Sequence, residues 1–168
     1  MTHVIGEKRV AVHKESGCPF NVDVAKCYFS QRLSDERKRF ADQATDVETV
    51  VNMFAGVGCF SILLAKHPTR KIFSIDINPI AVRYMEENVR INGVYGRVVP
   101  ILGDAGQIVK ERLRHESDRV LMPLPEKAFE YLPYSLLALK NVGGWIHCYG
   151  FVHAGKDEDA VEKVTGRV

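Results

Sequence analysis

The chain has 168 residues, 46% of them hydrophobic and 26% charged, and its 23 Lys and Arg against 21 Asp and Glu leave a net charge of +2. That length suffices for one domain with a full core, and the near balance of charge means that any contact with a polyanion must come from a local patch. No apolar run is long enough to cross a bilayer and no cleavable signal opens the chain, while Cys18, Cys27, Cys59 and Cys148 form no Cys-x-x-Cys pair, so the expectation is a cytoplasmic protein with reduced thiols and without membrane span, disulfide framework or metal site.

Residues 1 to about 26 read as β-structure. Lys8 to His13 and Phe20 to Val24 alternate polar and apolar around the turn Glu15 to Pro19, a hairpin signal. A two-stranded hairpin is marginal alone, so this one should lean on the main body or on a partner. Next comes Tyr28-Phe29-Ser30-Gln31-Arg32-Leu33-Ser34-Asp35-Glu36-Arg37-Lys38-Arg39-Phe40, with Ser34 as N-cap of a short helix to about Gln43. Its charges fit a solvated face; the aromatic pair beside four cations also fits a surface that meets nucleic acid and cofactor.

From Thr49 strand and helix alternate. The first strand, 48–54, runs into the turn Gly56-Val57-Gly58 and a helix to about Lys66, stopped at His67-Pro68-Thr69. The second strand, Lys71 to Ile77, carries Asp76 at its end; Asn78-Pro79 then starts a helix to about Asn92 with Ile80, Tyr84 and Ile91 on one side. The third strand, Arg97 to Leu102, closes on Gly103-Asp104 before a helix over 105–114. The fourth, Asp118 to Met122, meets Pro123-Leu124-Pro125 and a helix over 126–139, kinked or started twice at Pro133. The fifth strand, Trp145 to Val152, precedes a charged helix over 156–164. Five βα units imply an α/β fold with a mostly parallel, doubly wound sheet and helices on both faces, and such sheets bind ligands at the carboxyl ends of their strands, where strand order reverses.

The informative corners all fall at those ends. Gly56 and Gly58 let backbone approach a ligand. Asp76, 20 residues after Gly56, can accept both ribose hydroxyls, and Asp104 can accept from an adenine amino group while also capping the next helix. A dinucleotide fingerprint needs a third glycine where this chain has Ser61. A compact adenosine ligand without pyrophosphate fits better, and S-adenosylmethionine in a Rossmann-like class I methyltransferase fold matches the layout.

Tyr28 to Arg37, Asn52-Met53-Phe54-Ala55-Gly56-Val57-Gly58, Asp76-Ile77-Asn78-Pro79, Asp118 to Pro125 and Ile146-His147-Cys148-Tyr149 together resemble the archaeal and eukaryotic tRNA guanine-N1 methyltransferases, which modify the guanosine 3′ of the anticodon. The related wybutosine-pathway transferases share the module and move the aminocarboxypropyl group instead of the methyl. The resemblance implies that Glu36 is the general base for the guanine N1 proton and that Arg32 helps hold the target guanine or cofactor end. It implies that Tyr28 and Phe54 surround the methionine moiety, that Asp76 and Asp104 are the ribose and adenine partners with Ile77 and Ala105 beside them, and that Arg37, Lys38 and Arg39 meet the tRNA. A carboxylate next to Arg32 and Arg37 would have its pKa lowered, so it needs partial burial or substrate contact to act as a base.

This chain departs from the family pattern at Asn52, where aspartate is usual, at Cys59, where proline is common, and at Pro123. There the family's asparagine engages the target base, and proline offers no side-chain hydrogen bond. Residues 1–45 are expected to form a hairpin and helix belonging to the catalytic module, and 46–168 the cofactor-binding core. The family's N-terminal RNA-binding region and its last two antiparallel strands are expected to be missing here. That would leave a sheet edge through which an otherwise monomeric protein associates. The competing readings are an aminocarboxypropyl transferase, a catalytically incomplete cofactor-binding fragment and, least supported, an NAD dehydrogenase.

Overall fold

Three buried side chains, Cys18, Phe20 and Val22, decide how the N-terminal segment folds. The computed structural model describes residues 3–4, 10–43, 48–66 and 71–151, with 153, 155, 158, 159 and 163. Within it β1 (His3–Val4), β2 (Val10–Glu15) and β3 (Cys18–Asp23) form an antiparallel sheet in that order, so the expected hairpin gains a third strand. The register sets Glu15 opposite Cys18, His13 opposite Phe20 and Ala11 opposite Val22. Opposed residues share a face. His13 and Glu15 are therefore buried, while Val10 and Val12, the apolar positions of the alternation, are only half-buried. The expected turn over 15–19 contracts to Ser16-Gly17, at φ of 48° and 77°, a two-residue loop whose twist suits the strands it joins. Lys8 and Arg9 lie outside the described residues.

A 3-10 turn, Gln31–Leu33, runs straight into α1 (Ser34–Gln43). Ser34 is therefore not an N-cap: its φ of −61° and ψ of −44° are already helical, and the extended residue ahead of the turn is Ser30.

Five parallel strands follow: β4 (Thr49–Asn52), β5 (Lys71–Asp76), β6 (Val98–Leu102), β7 (Arg119–Met122) and β8 (Trp145–Cys148), side by side in the order β6-β5-β4-β7-β8. The order reverses between β4 and β7, and the outer edge of β8 pairs with no strand among the described residues. One face packs Val50, Ile72 and Leu121 against α2 (Cys59–Leu64), α3 (Pro79–Ile91), Phe40 of α1 and the inward side chains of β3; the other packs Val51, Ile75, Val120 and Met122 against α4 (Ala105–Arg112) and α5 (Ala128–Ala138). The N-terminal sheet thus leans on the main body. Asn88 of α3, fully buried, accepts from the Asn21 amide (2.7 Å) and donates to the carbonyls of Asn21 and Val57 (both 3.0 Å), tying β3 to the glycine turn.

Several boundaries shift from those read in the sequence. α5 starts at Ala128, not Glu126, because residues 125–127 form a turn, and Pro133 sits inside one continuous helix. Ile91 is 48% exposed; the buried face of α3 is Ala81, Val82, Tyr84, Met85, Asn88 and Val89. β8 ends at Cys148, and Val152, the expected helix stop at 67–69 and most of the expected helix over 156–164 lie outside the described residues.

Gly58 holds the cradle together. It sits at φ 92°, and a Cβ there would stand 2.9 Å from Met85 Cγ. Gly58→Ala should cost about 1–3 kcal/mol from the left-handed backbone and the overpacked contact, read as a lower urea midpoint; an unchanged midpoint would show that Met85 moves aside freely.

Candidate active site

The carboxyl ends of β4, β5, β6 and β7 surround a cleft of about 410 Å³ that spans the point where strand order reverses. Met53, Phe54 and Gly56 line it from β4; Asp76, Ile77 and Asn78 from β5; Gly103, Asp104 and Ala105 from β6. Pro123, Leu124, Lys127 and Tyr131 close it from β7 and α5, and Tyr28 overhangs it, 76% exposed. Its volume lies within the range of small-molecule sites. All the residues singled out for cofactor binding except Gly58 line this cleft, and Gly58 shapes the turn beneath it.

Local chemistry explains the arrangement. Asp76 uses one carboxylate oxygen on the Gly56 amide (2.7 Å) and the other on the Asn78 amide (2.9 Å), so it braces the glycine turn as well as facing the cleft. Asn78 caps α3 by accepting from the Ile80 amide (3.0 Å), and its amide group donates to Lys26 O (2.8 Å), fastening the segment that carries Tyr28. Gly56 has φ 57°, and a Cβ would lie 3.7 Å from Tyr28 O, so backbone approaches backbone across the turn. Asp104 caps α4 through the Gln107 amide (2.9 Å) and accepts the Tyr131 hydroxyl with its other oxygen. Burial alone would raise the Asp104 carboxyl, but Tyr131 and the backbone amides of Gln107 and Gly106 hold it below its ordinary value; the same bond pushes Tyr131 up to about 12. Each of these carboxylate oxygens retains a lone pair for a ligand.

Tyr131 is a cleft residue that sequence reasoning missed, as are Ala81 and Lys127. It meets Phe54 edge to face (centroids 5.1 Å) and completes the wall opposite β4. Nothing in its local pattern marks it, because only the packing of α5 brings it across to Asp104. Ser61, read in the sequence only as a missing glycine, proves to be buried and to accept from Asn52 Nδ2 (3.1 Å) and Ser74 Oγ (2.7 Å), locking α2 to β4 and β5.

A smaller chamber of about 60 Å³ shares Tyr28, Phe54, Gly56 and Pro123 with the cleft and continues inward to Leu33, Arg37, Cys59 and Phe60. Burial pushes the Cys59 thiol up to about 12, so it is inert there. Beyond Leu33, which lines both spaces, lies an open groove with Glu36, Arg39, His147, Cys148 and Tyr149. Glu36 belongs to this groove and not to the cleft. It forms a two-point ion pair with Arg39 and accepts the Tyr149 hydroxyl at 2.7 Å. Arg39 above all holds its carboxyl below the usual range, with Tyr149 assisting against the burial that would raise it.

The cations of α1 separate in space. Arg32 and Lys38 are exposed, and Arg39 is surface-paired to Glu36. Arg37, expected among the RNA contacts and beside Glu36, is 3% exposed: its Nε and Nη2 bind the Glu15 carboxylate (2.8 and 2.5 Å) and both terminal nitrogens reach Ser30 O (3.2 Å). The neighbour that lowers the Glu36 pKa is thus Arg39 and not Arg32 or Arg37. Among the described residues no cluster of His, Cys, Asp and Glu is arranged to hold a metal, and no helix is long and apolar enough to cross a membrane.

Comparison with known proteins adds three findings. Residues 11–167 match the family described as the TRM5/TYW2 methyltransferase domain. The tRNA (guanine(37)-N(1))-methyltransferase Trm5b of Pyrococcus abyssi is 46% identical over 90% of this chain and 44% of its own length, and the tRNA 4-demethylwyosine(37)-methyltransferase Taw21 of Saccharolobus solfataricus is 44% identical over 95% and 60%. The crystal structure of Methanocaldococcus jannaschii Trm5 in complex with adenosine superposes with a TM-score of 0.80 at 37% identity, covering 98% of this chain and 49% of that one. The chain therefore spans about half the length of such relatives.

Proposed function

Because this chain belongs to the TRM5/TYW2 methyltransferase domain family, we propose that it is the catalytic domain of an S-adenosylmethionine-dependent tRNA methyltransferase that methylates N1 of the guanosine 3′ of the anticodon, position 37. The observation that carries this reading is the adjacency of three spaces: a cleft fit for an adenosine cofactor, a small chamber that shares Tyr28, Phe54, Gly56 and Pro123 with it, and, across the Leu33 wall of that chamber, a groove with a partly buried carboxylate. The Gly56 turn, with its backbone open to close approach, and the free lone pairs of Asp76 and Asp104 suit the cofactor. Asp76 takes the ribose hydroxyls and Asp104 the adenine amino group, Ile77 and Ala105 add apolar walls, and Tyr28 and Phe54 enclose the methionine end. When bound, the cofactor supplies an electrophilic methyl group. Glu36 accepts the N1 proton of guanine, without whose loss N1 is a poor nucleophile. Arg32 helps hold the target guanine, Lys38 and Arg39 face the tRNA backbone, and Arg37 supports the site from inside.

The core shared by Phe20, Phe40 and Met85 supports treating residues 1–45 and 46–168 as one catalytic module. A tRNA substrate goes with a cytoplasmic enzyme, and the outer edge of β8, which pairs with no strand among the described residues, is the surface through which copies of this chain would associate.

The test is incubation of the chain with tRNA transcript and methyl-labelled S-adenosylmethionine, followed by mass analysis of nucleosides. The expected product is 1-methylguanosine, absent when position 37 is changed to adenosine; no labelled nucleoside would overturn the reading. A second reading, aminocarboxypropyl transfer, is favoured by Pro123, which lines both cleft and chamber without offering a side-chain donor to the base. The larger product mass distinguishes it.

Asp76→Ala should weaken cofactor binding by about 10- to 100-fold, since hydrogen bonds to a charged acceptor contribute about 1.5–3 kcal/mol each and the glycine turn loses its brace. Calorimetry measures this, and wild-type affinity in the variant would remove Asp76 from the cofactor site.

A further inference from the structure

Among the described residues two groups hold the Glu36 carboxylate, and they differ in how firmly they are themselves held. Arg39 lies one turn along α1 with its side chain 54% exposed. Such a pair is screened and exchangeable, and a nucleic-acid phosphate offers the same guanidinium an equivalent two-point partner. Tyr149 is half-buried just past the end of β8. Its ring meets Phe60 edge to face (centroids 6.1 Å), Phe60 meets Phe40 (6.0 Å), and its amide donates to Met122 O (3.3 Å), so the hydroxyl is fixed relative to the sheet. The Tyr149–Glu36 bond therefore joins α1 to the carboxyl edge of the sheet across 113 residues of chain.

The other groups around Glu36 do not replace it. His147, next along β8, lies against Arg119 (Nη1 to Nε2, 2.5 Å), and burial together with Arg119 and Arg39 pushes it down to about 4, so it is uncharged at neutral pH. Arg119 is itself held by the Glu48 carboxylate (2.7 and 2.9 Å), away from the groove. Lys38 and Arg32 make no described contact with Glu36.

We propose that Tyr149 is the positioning residue of Glu36: its hydroxyl keeps the carboxylate in place while Arg39 is drawn away by an RNA phosphate. This rests on the reading of Glu36 as the acceptor of the guanine N1 proton. Losing Arg39 removes the strongest influence lowering the Glu36 carboxyl, so its basicity rises as the RNA seats, and the carboxylate does not swing out because the Tyr149 bond remains.

Tyr149→Phe keeps the ring packing and deletes only the hydroxyl. Single-turnover methyl transfer, at saturating cofactor and tRNA across pH, should be about tenfold slower at neutral pH, the size expected for one bond to a charged group. Its acid limb should move to higher pH, because the carboxyl loses a donor that favours its ionised form. Cofactor affinity and the KM for tRNA should stay at wild-type values, whereas Arg39→Gln should raise the KM for tRNA. An active wild-type chain matched by Tyr149→Phe at every pH would overturn the role of Tyr149 alone. A wild-type chain that transfers nothing overturns the proposed activity, and the positioning role with it. Carboxyl ¹³C titration of Glu36 reads the bond without turnover: a pKa unmoved by Tyr149→Phe also overturns the role.

Discussion

Glu36→Gln is expected to slow methyl transfer to tRNA by about 10²–10⁴-fold, the usual contribution of a positioned general base. Glutamine keeps the size and can still accept from the Tyr149 hydroxyl, but it cannot take the guanine N1 proton. Cofactor affinity should be unchanged, because Glu36 lies in the groove beyond Leu33 and not in the cleft that holds Asp76 and Asp104. The fold should also be unaffected, since the pair lost with Arg39 is at the surface and such pairs contribute little. Rapid-quench single-turnover assays with labelled cofactor measure the effect. Equal rates in the two proteins would take the base assignment away from Glu36.

Arg37→Ala should have its largest effect on stability. The guanidinium is buried with the Glu15 carboxylate, and removing it leaves that buried charge with only the His13 Nε2 contact at 3.2 Å, at a cost of about 3–5 kcal/mol. Against a total of about 5–15 kcal/mol that is a large fraction. Urea unfolding checks it, and Arg37→Met combined with Glu15→Leu should recover most of the loss, because both charges are then gone. The opposite pattern, an unchanged midpoint with weaker tRNA binding, would return Arg37 to the RNA surface.

The same pair sets a pH dependence. Burial alone would raise the Glu15 carboxyl, but the bonds to Arg37 outweigh it and hold the group below its ordinary 4.5. A carboxyl lowered in the folded state contributes stability that is complete above its unfolded pKa and lost as pH falls through its folded one. This part of wild-type stability should therefore be intact at neutral pH and decline on acidification below about 4.5.

How much of the site could be read in advance follows from the range of the interactions. Gly56, Asp76 and Asp104 were legible because each is a local feature, a turn or cap at the end of a strand, and the parallel sheet brings all strand ends to one edge. Tyr131 and Tyr149 were not, since each acts through a bond to a residue far along the chain, Asp104 and Glu36 respectively. The charged run on α1 was legible as a run, but not in its division. Ser30 to Phe40 carries Arg32, Arg37, Lys38 and Arg39 alike; burial of Phe40 turns α1 so that Arg37 goes inward to Glu15 while Lys38 and Arg39 stay outside.

The sequence by itself determined the alternation of strands and helices, the parallel sheet and the acidic and glycine corners, because hydrophobic period, proline, glycine and cap residues act within a few positions of themselves. Tertiary structure decided which face of β2 is inside, which arginine is a structural ion and which carboxylate partners lie in the groove. Those outcomes depend on the register against Cys18, Phe20 and Val22, and on the packing of α1 against the sheet. Burial makes them decisive: once Glu15 and Arg37 leave water they must find each other, and only the folded chain brings them within 2.5 Å.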